Sequence, residues 1–283
     1  MNNNLIEVNQ LKGMVMSSLL EGVKKGSTRT NDNKDIIIHA SSIVSLCPRQ
    51  IHIAKTKKVK IEQSNGYLNN GAIVTFSIGL AVEDFIIKYL GRYSDNKAYF
   101  KYYCPNCRTA EIKEYNDKEV ICDSCGIPMI RQQITLEEHI KDNIYIRGNP
   151  DLLLNSPILG DRTYVIELKT INKDDFSALN KPLISHIYQV KTYLWLIKHL
   201  DRSTVRKYKL SSHKGYIIYV CKTFHKDPIK VFKIVLDKEW ENTLNNSIKE
   251  IKGKKFPDRV CLNYNSPIAK QCPFRDICFN KEG

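Results

Sequence analysis

Residues 148–170 read GNPDLLLNSPILGDRTYVIELKT, two apolar runs on either side of a short loop. Apolar and β-branched residues in runs of this length predict strands. Pro157 and Gly160 lie in the loop and favour a turn that folds the first strand back onto the second. We therefore predict a hairpin. If its turn is centred near residue 159, Asp151 lies opposite Glu167.

Outside its loop, this apolar hairpin carries three charged side chains, Asp151, Glu167 and Lys169. Residues two apart in a strand share a face, so Glu167 and Lys169 point the same way, whereas Ile166 and Leu168 face the opposite side. Adjacent carboxylates repel each other unless a cation lies between them. Asp151, Glu167 and the neighbouring backbone carbonyl therefore indicate a site for Mg²⁺ or Mn²⁺, which prefer oxygen ligands. A surface hairpin with a Glu167–Lys169 ion pair is the simpler structural alternative.

The elements around the hairpin predict an α/β domain. The predicted strands are 130–136, 143–154, 163–170, 215–223 and 229–236, and the predicted helices are 72–90, 182–200 and 237–252. The apolar composition of 72–90 predicts a largely buried helix. Residues 1–36 look partly helical and then polar, and Pro48 predicts a turn or a helix start.

Composition limits the class of protein. The chain has 283 residues, 42% hydrophobic and 26% charged, which fits one large or two modest globular domains and argues against a disordered chain. The net charge of +14 favours a polyanionic partner, most simply nucleic acid, over an acidic membrane surface or lysines that only solubilise. No apolar run approaches the ~18 residues of a membrane span. The first residues, MNNNLIEVNQ, carry no secretory pattern, so we expect a cytoplasmic protein.

Four of the nine cysteines have the spacing of a metal site. Cys104 and Cys107, then Cys122 and Cys125, form two C-x2-C pairs, and four thiolates so spaced suit structural Zn²⁺ in a zinc ribbon. An Fe–S cluster or a redox dithiol is the alternative. Flanking basic and aromatic residues suit contact with a nucleic-acid strand, and a purely structural clip is equally compatible with them.

The motifs together resemble a known family of nucleases. Pro150-Asp151 followed by Glu167-Leu168-Lys169 resembles the PD-(D/E)xK superfamily. Gly79-Leu-Ala-Val-Glu83 resembles the G-x-x-x-E/H helix of its RecB-like branch, and Gln189-Val-Lys-Thr-Tyr193 resembles the Q-x-x-x-Y motif of that branch. The resemblance implies a restriction-endonuclease-like core, a mixed sheet flanked by helices. The cysteine spacings add a zinc-ribbon insertion, which sets this chain apart from the simplest members, and a cysteine-bearing C-terminal tail.

The resemblance also implies roles for individual residues. It implies that Glu83 is a third metal ligand. The alternative is that Glu83 is an ordinary glutamate on the solvated side of the helix. Gln189 and Tyr193 share a helical face that would approach the DNA backbone, unless the helix is merely amphipathic. His186 lies on nearly the same face and would contact a phosphate group of the DNA. Lys169 would orient the nucleophilic water.

A second cysteine group resembles the iron–sulfur staple of RecB-like nucleases, including the CRISPR-associated and AddB-type exonucleases. Its members are Cys47, Cys261, Cys272 and Cys278, which would hold a [4Fe–4S] cluster that ties the two ends of the domain together. The family often has C-x2-C before the final C-x5-C, whereas ten residues separate Cys261 from Cys272 here. A second Zn²⁺ or unligated thiols are the alternatives. Cys221 is predicted as a small core residue.

The resemblance implies a Mg²⁺- or Mn²⁺-dependent deoxyribonuclease, and more specifically an exonuclease acting on DNA ends or single strands. A homo-oligomer or a recombination or replication partner is compatible with it. The predicted divisions are 1–98 (N-terminal helical part), 99–128 (zinc-ribbon insert), 129–236 (nuclease core) and 237–283 (C-terminal helix and iron–sulfur tail). A non-catalytic nucleic-acid-binding protein, with the ribbon as its reader, is the main alternative. A small-molecule metalloenzyme would leave the basic excess unexplained.

Overall fold

A computed structural model describes residues 35–57, 70–93, 95–115, 118–223, 225–270 and 272–279. Its strands are β1 (Ile36–His39), β2 (Lys97–Tyr103), β3 (Ala110–Glu114), β4 (Ile130–Gln132), β5 (Leu136–Lys141), β6 (Ile144–Gly148), β7 (Leu152–Asn155), β8 (Thr163–Ile171), β9 (Lys214–Cys221) and β10 (Ile229–Val235). Its α-helices are α1 (Pro48–Lys57), α2 (Asn70–Arg92), α3 (Lys173–Ala178), α4 (Ile184–His199), α5 (Arg202–Lys207), α6 (Lys238–Lys252), α7 (Pro267–Lys270) and α8 (Arg275–Cys278), and a 3₁₀ helix covers Ala40–Ser45.

The larger sheet has seven strands and is mixed. Its order is β10-β9-β8-β7-β2-β3, with β4 also paired to β2. Only β8 and β9 pair in parallel among these described strands, and the other pairs are antiparallel. Parallel neighbours need a crossover connection, which α3, α4 and α5 supply between β8 and β9. The predicted α/β class with a mixed sheet flanked by helices is confirmed.

Helix α4 lies in the centre of the molecule. It contacts β8, β9 and β10 of the larger sheet and also β5 and β6 of a three-stranded sheet ordered β1-β6-β5. Because sheets cover it on two sides, its apolar residues are buried on more than one face, including Val190, Leu194 and Leu196. The sequence predicted this helix, which spans 184–199 rather than 182–200.

Helix α2 packs on β8 and β2. Its outer face is more exposed than the sequence predicted. The helix itself is confirmed over Asn70–Arg92, but the expected burial is wrong: Phe85 is 58% and Tyr89 52% exposed. A sheet buries only the side of a helix that faces it, and among the described residues nothing covers the other side of α2. Apolar composition alone does not reveal which faces will find partners.

Other differences concern strand boundaries. The predicted strand 143–154 is two strands, β6 in the small sheet and β7 in the large one, because Pro150 lacks the N–H that a continuous ladder needs. The run 130–136 contains the short β4, and β5 extends beyond it to Lys141. Most of the helical prediction for 1–36 lies outside the described residues, and β1 begins at Ile36.

Gly148, at the end of β6, has no room for a side chain. An added Cβ would lie 2.6 Å from two ring carbons of Tyr193 and 3.2 Å from the Cβ of Ala40. We expect Gly148→Ala to lower the free energy of unfolding by about 1–3 kcal/mol through overpacking, measured by denaturant unfolding.

Gly79→Ala is the matched control for Gly148→Ala. Its Cβ would meet only the side-chain Oγ1 of Thr170, at 3.1 Å, and alanine favours the helix. We expect nearly unchanged stability for this control. An equal loss in both variants would contradict the packing argument.

Candidate active site

The hairpin of β7 and β8 has the predicted register. Leu152 pairs with Ile166 and Leu153 with Val165, so Asp151, just before β7, comes level with Glu167. The two faces also alternate as predicted. Val165 joins the core around α4, whereas Ile166 and Leu168 join a second core that includes Ile87 of α2.

Asp151 is buried, with 8% of its surface exposed. Its Oδ2 accepts a hydrogen bond from the backbone N–H of Leu168 at 2.7 Å, and its Oδ1 accepts one from Nε2 of Gln133 at 3.1 Å. Burial, and then the nearby Glu167 and Glu83 carboxylates, raise the pKa of Asp151 well above its ordinary value. Sequence reasoning missed Gln133, because its contact arises from the position of β4 and has no local motif.

Glu167 is only 1% exposed, and only one of its two carboxylate oxygens accepts hydrogen bonds from described residues. Its Oε1 accepts hydrogen bonds from Nζ of Lys169 at 2.5 Å and from Nε2 of Gln189 at 2.7 Å. Its Oε2 is buried and has no hydrogen-bond partner among the described residues. An unsatisfied buried carboxylate oxygen is costly, so this atom marks a place where a cation would be stabilised.

Glu83 reaches the same place from α2. Burial, followed by repulsion from Glu167, raises the pKa of Glu83, and Glu83 in turn raises that of Asp151. Gly79, one turn earlier, lies against the side chain of Thr170 in β8. Within the described chain, the three carboxylates do not all lie within 4.8 Å of one another. A shared divalent cation would draw them together, and three oxygen donors fit Mg²⁺ or Mn²⁺.

Helix α4 supports the site from the core side. Nε2 of Gln189 also donates to Oη of Tyr193 at 2.6 Å, and that hydroxyl donates to the carbonyl of Asn149 at 3.2 Å. This chain of hydrogen bonds links Glu167 to the turn that carries Asp151. Gln189 and Tyr193 are both buried here. Their predicted contact with the DNA backbone stays a prediction.

His186 lies closer to the surface on α4. Its Nδ1 is 2.7 Å from Oη of Tyr219, which also accepts the backbone N–H of Leu183 at 3.1 Å. Burial, with Lys169 nearby, lowers the pKa of His186 to about 4, so the ring is neutral near pH 7. A neutral ring that accepts at Nδ1 carries its proton on Nε2 and can donate from there.

Without divalent metal in this site, we expect Asp151 and Glu167 to lower the stability of the protein as the pH rises above about 4, whereas the lowered pKa of His186 acts in the opposite direction between about 4 and 6.5. Burial raises the pKa of Asp151 and of Glu167 above their ordinary values of 3.8 and 4.5. The folded state then holds protons that the unfolded chain has released, so the contribution of these two carboxyls to the free energy of unfolding falls across the window from the ordinary to the raised pKa. Melting temperatures measured between about pH 4 and pH 8 test this.

Asp151→Asn is the control for this pH dependence, because it removes one titrating carboxyl and leaves His186 in place, so its stability relative to the wild type should increase as the pH rises. The same slope in both proteins would contradict the assignment.

The first cysteine group is assembled as a compact quartet. Sγ of Cys104 is 3.5 Å from Sγ of Cys125, Sγ of Cys107 is 3.9 Å from that of Cys122, and all four sulfurs lie within 4.8 Å of one another. Four thiolates at about 2.3 Å from one tetrahedral Zn²⁺ would be separated by roughly 3.8 Å. The quartet could therefore bind a single metal ion.

The second cysteine group is brought together from distant parts of the chain. Cys47, Cys261, Cys272 and Cys278 line one pocket between the start of α1 and the C-terminal tail. Burial raises the pKa of the Cys272 thiol, and the three other thiols raise it further. No three of these described cysteines have all their sulfurs within 4.8 Å of one another, so this group is wider than the first.

The fold and the site define a class of protein. A mixed sheet flanked by helices, with two carboxylates and a lysine on one hairpin, is a restriction-endonuclease-like α/β domain. A family model described as the PD-(D/E)XK nuclease superfamily matches residues 105–279, more than half of the chain. The chain belongs to this superfamily, which makes it a nuclease-like protein with a nucleic-acid substrate. No curated protein matches its sequence significantly. Among the described helices, none is both long and apolar enough to cross a membrane.

Proposed function

We propose that this protein is a divalent-metal-dependent deoxyribonuclease of the RecB-like branch, acting as an exonuclease on DNA ends or single strands. The observation that carries the proposal is the buried Oε2 of Glu167, which has no hydrogen-bond partner in the described part of the chain, beside the buried carboxylate of Asp151. The RecB-like assignment is supported by the Gly79–Glu83 and Gln189–Tyr193 motifs, because Gln189 donates a hydrogen bond to Glu167 and Glu83 lies near enough for Glu167 to raise its pKa.

Asp151, Glu167, Glu83 and the backbone carbonyl of Leu168 would hold Mg²⁺ or Mn²⁺. The bound ion supplies an activated water and neutralises charge on the scissile phosphate. Lys169 forms an ion pair with Glu167. In the reaction it would orient the attacking water and stabilise the negative charge that develops on the phosphoryl oxygens. Gln189 keeps Glu167 aimed into the site, and Tyr193 fixes Gln189.

DNA would be held mainly by its backbone. The net charge of +14 favours a polyanion, and binding should weaken steeply as salt rises. His186 can offer a neutral Nε2–H donor to a phosphate oxygen next to Lys169, and Gln189 and Tyr193 would lie behind it.

We propose Zn²⁺ for the compact quartet and a [4Fe–4S] cluster for the wider one. Thiolates on a cluster bind four different irons, so their sulfurs stand farther apart than around one ion. Three arginines also line the wider pocket, and Nε of Arg49 donates to Sγ of Cys278 at 3.2 Å. Positive charge there suits an anionic cluster. Protein purified without oxygen should contain both iron and zinc, and zinc without iron would remove the cluster from the proposal.

We keep the four predicted divisions of the chain as part of the proposal. In this arrangement the zinc-ribbon insert at 99–128 also contributes β3 and most of β2 to the larger sheet, and the tail at 237–283 closes the domain through the cluster.

The decisive experiment is a time course on end-labelled single-stranded and duplex DNA with Mg²⁺ or Mn²⁺. We expect cutting that EDTA stops and that Lys169→Ala slows by about 10²–10³-fold. Product lengths give the mode and polarity of cutting. If the wild type binds DNA but never cuts it, the protein is a non-catalytic nucleic-acid-binding module and the proposal fails.

A further inference from the structure

Strand β4 connects the cysteine quartet to the active site. It begins five residues after Cys125 and pairs with β2, where Ile130 lies opposite Tyr103 and Gln132 opposite Lys101. Tyr103 is directly followed by Cys104. Both strands are therefore connected to the quartet at the same end of the pair, β2 through its last residue and β4 through the segment that follows Cys125.

The residue that follows β4 contacts a proposed metal ligand. Nε2 of Gln133 donates to Oδ1 of Asp151 at 3.1 Å, while the other oxygen of that carboxylate accepts the backbone N–H of Leu168. Gln133 is exposed, but the next residue, Ile134, is buried in the main core and fixes the backbone there. Gln133 and the Leu168 N–H thus hold the two oxygens of the Asp151 carboxylate from different sides.

A residue of β4 forms an ion pair with α2, the helix that carries Glu83. Arg131 forms an ion pair with Asp84 on α2, next to Glu83. Its guanidinium also lies over the rings of Phe100, at 5.1 Å, and Tyr115, at 5.6 Å. These contacts orient Arg131 between the larger sheet and α2, so β4 touches the elements that carry two of the three carboxylates.

We propose that β4 and Gln133 are positioning elements of the nuclease site: Gln133 orients Asp151, Arg131 holds α2 through Asp84, and metal in the quartet keeps both in place. This inference rests on the proposed function, because it assigns support to the same divalent-metal site. Side chains that orient metal ligands typically contribute 10–100-fold to metal affinity. We expect an effect of about 10-fold here, since Gln133 is exposed.

The test measures Mn²⁺ binding by calorimetry in zinc-loaded protein. Gln133→Met keeps the volume of the side chain but removes the donor, and we expect Mn²⁺ to bind about 10-fold more weakly. Gln132→Met is the matched control, since Gln132 is a neighbouring exposed glutamine whose partner strand position is Lys101. The control should bind as the wild type does. At saturating Mn²⁺ we expect Gln133→Met to recover most of the wild-type cutting rate.

Asp151→Asn distinguishes a failure of the positioning role of Gln133 from a failure of the proposed metal site. If the wild type binds Mn²⁺ more tightly than Asp151→Asn, and Gln133→Met binds as the wild type does, the positioning role is wrong and the proposed function survives. If wild type and Asp151→Asn bind Mn²⁺ alike, the proposed metal site fails and the inference falls with it. Weaker binding in Gln132→Met as large as in Gln133→Met also overturns the inference, because it would reflect a general loosening of β4.

Arg131→Gln provides a second, independent variant. It breaks the ion pair with Asp84 without touching Asp151, so weaker Mn²⁺ binding is expected here too. Asp84→Asn should reproduce its effect, and the double variant should be no worse than either single one. Additive effects would show that the two residues act separately and would overturn this part of the inference.

Discussion

Asp151→Asn is expected to lower the rate of DNA cutting by on the order of 10³-fold while raising the stability of the protein without divalent metal in the site. The loss of activity follows because a neutral amide binds a divalent cation poorly and the attacking water is no longer activated. The gain in stability follows because Asp151 is buried and its pKa is raised by burial and by repulsion from Glu167 and Glu83. Replacing a buried, repelled charge with an amide removes that cost.

Opposite signs of the two effects distinguish a functional carboxylate from a structural one. The rate is measured on end-labelled DNA with saturating Mn²⁺, and stability by denaturant unfolding without added metal. Asp161→Asn is the control, because Asp161 is an exposed aspartate in the loop of the same hairpin. It should leave both quantities nearly unchanged. A rate for Asp151→Asn within tenfold of the wild type, or a clear loss of stability, would contradict the assignment.

Cys104→Ser is expected to release the zinc that we propose for the compact quartet and to lower the free energy of unfolding by on the order of 4 kcal/mol. Cys104 is fully buried, and its sulfur is 3.5 Å from that of Cys125. Binding free energy at a structural metal site is folding free energy, so losing one of four ligands loosens the whole ribbon. Because β4 follows the ribbon, weaker Mn²⁺ binding at Asp151 should accompany the loss of zinc.

Cys221→Ser is the matched control for this experiment. Cys221 is also buried, but it lies on β9, where its sulfur is 3.7 Å from Oγ1 of Thr223. Its replacement should keep the zinc content at the wild-type value, with a smaller loss of stability. Zinc content is measured by elemental analysis after gel filtration. Equal zinc in Cys104→Ser and Cys221→Ser would be incompatible with a metal ion in the quartet.

Local patterns predicted the hairpin well and its surroundings less well. Alternation placed Glu167 and Lys169 on one face, and the structure confirms this with a hydrogen bond between their side chains. The length of α2 was also predicted closely, but its burial was not, because burial depends on which faces meet a sheet. The break between β6 and β7 has a local cause, Pro150, yet the assignment of the two strands to different sheets does not.

Short-range physics explains what could be derived from the chain alone. Strand alternation, a turn at Pro157 and Gly160, and the C-x2-C spacings all act within about twenty residues, so the register of Asp151 against Glu167 and the compact quartet follow from the sequence. Long-range pairing decides the rest. Gln133 meets Asp151 only because β4 pairs with β2 and β2 with β7. Cys47 meets the tail cysteines only because the packed core brings the two ends of the domain together, and burial of apolar surface, which has no preference for sequence separation, selects those contacts.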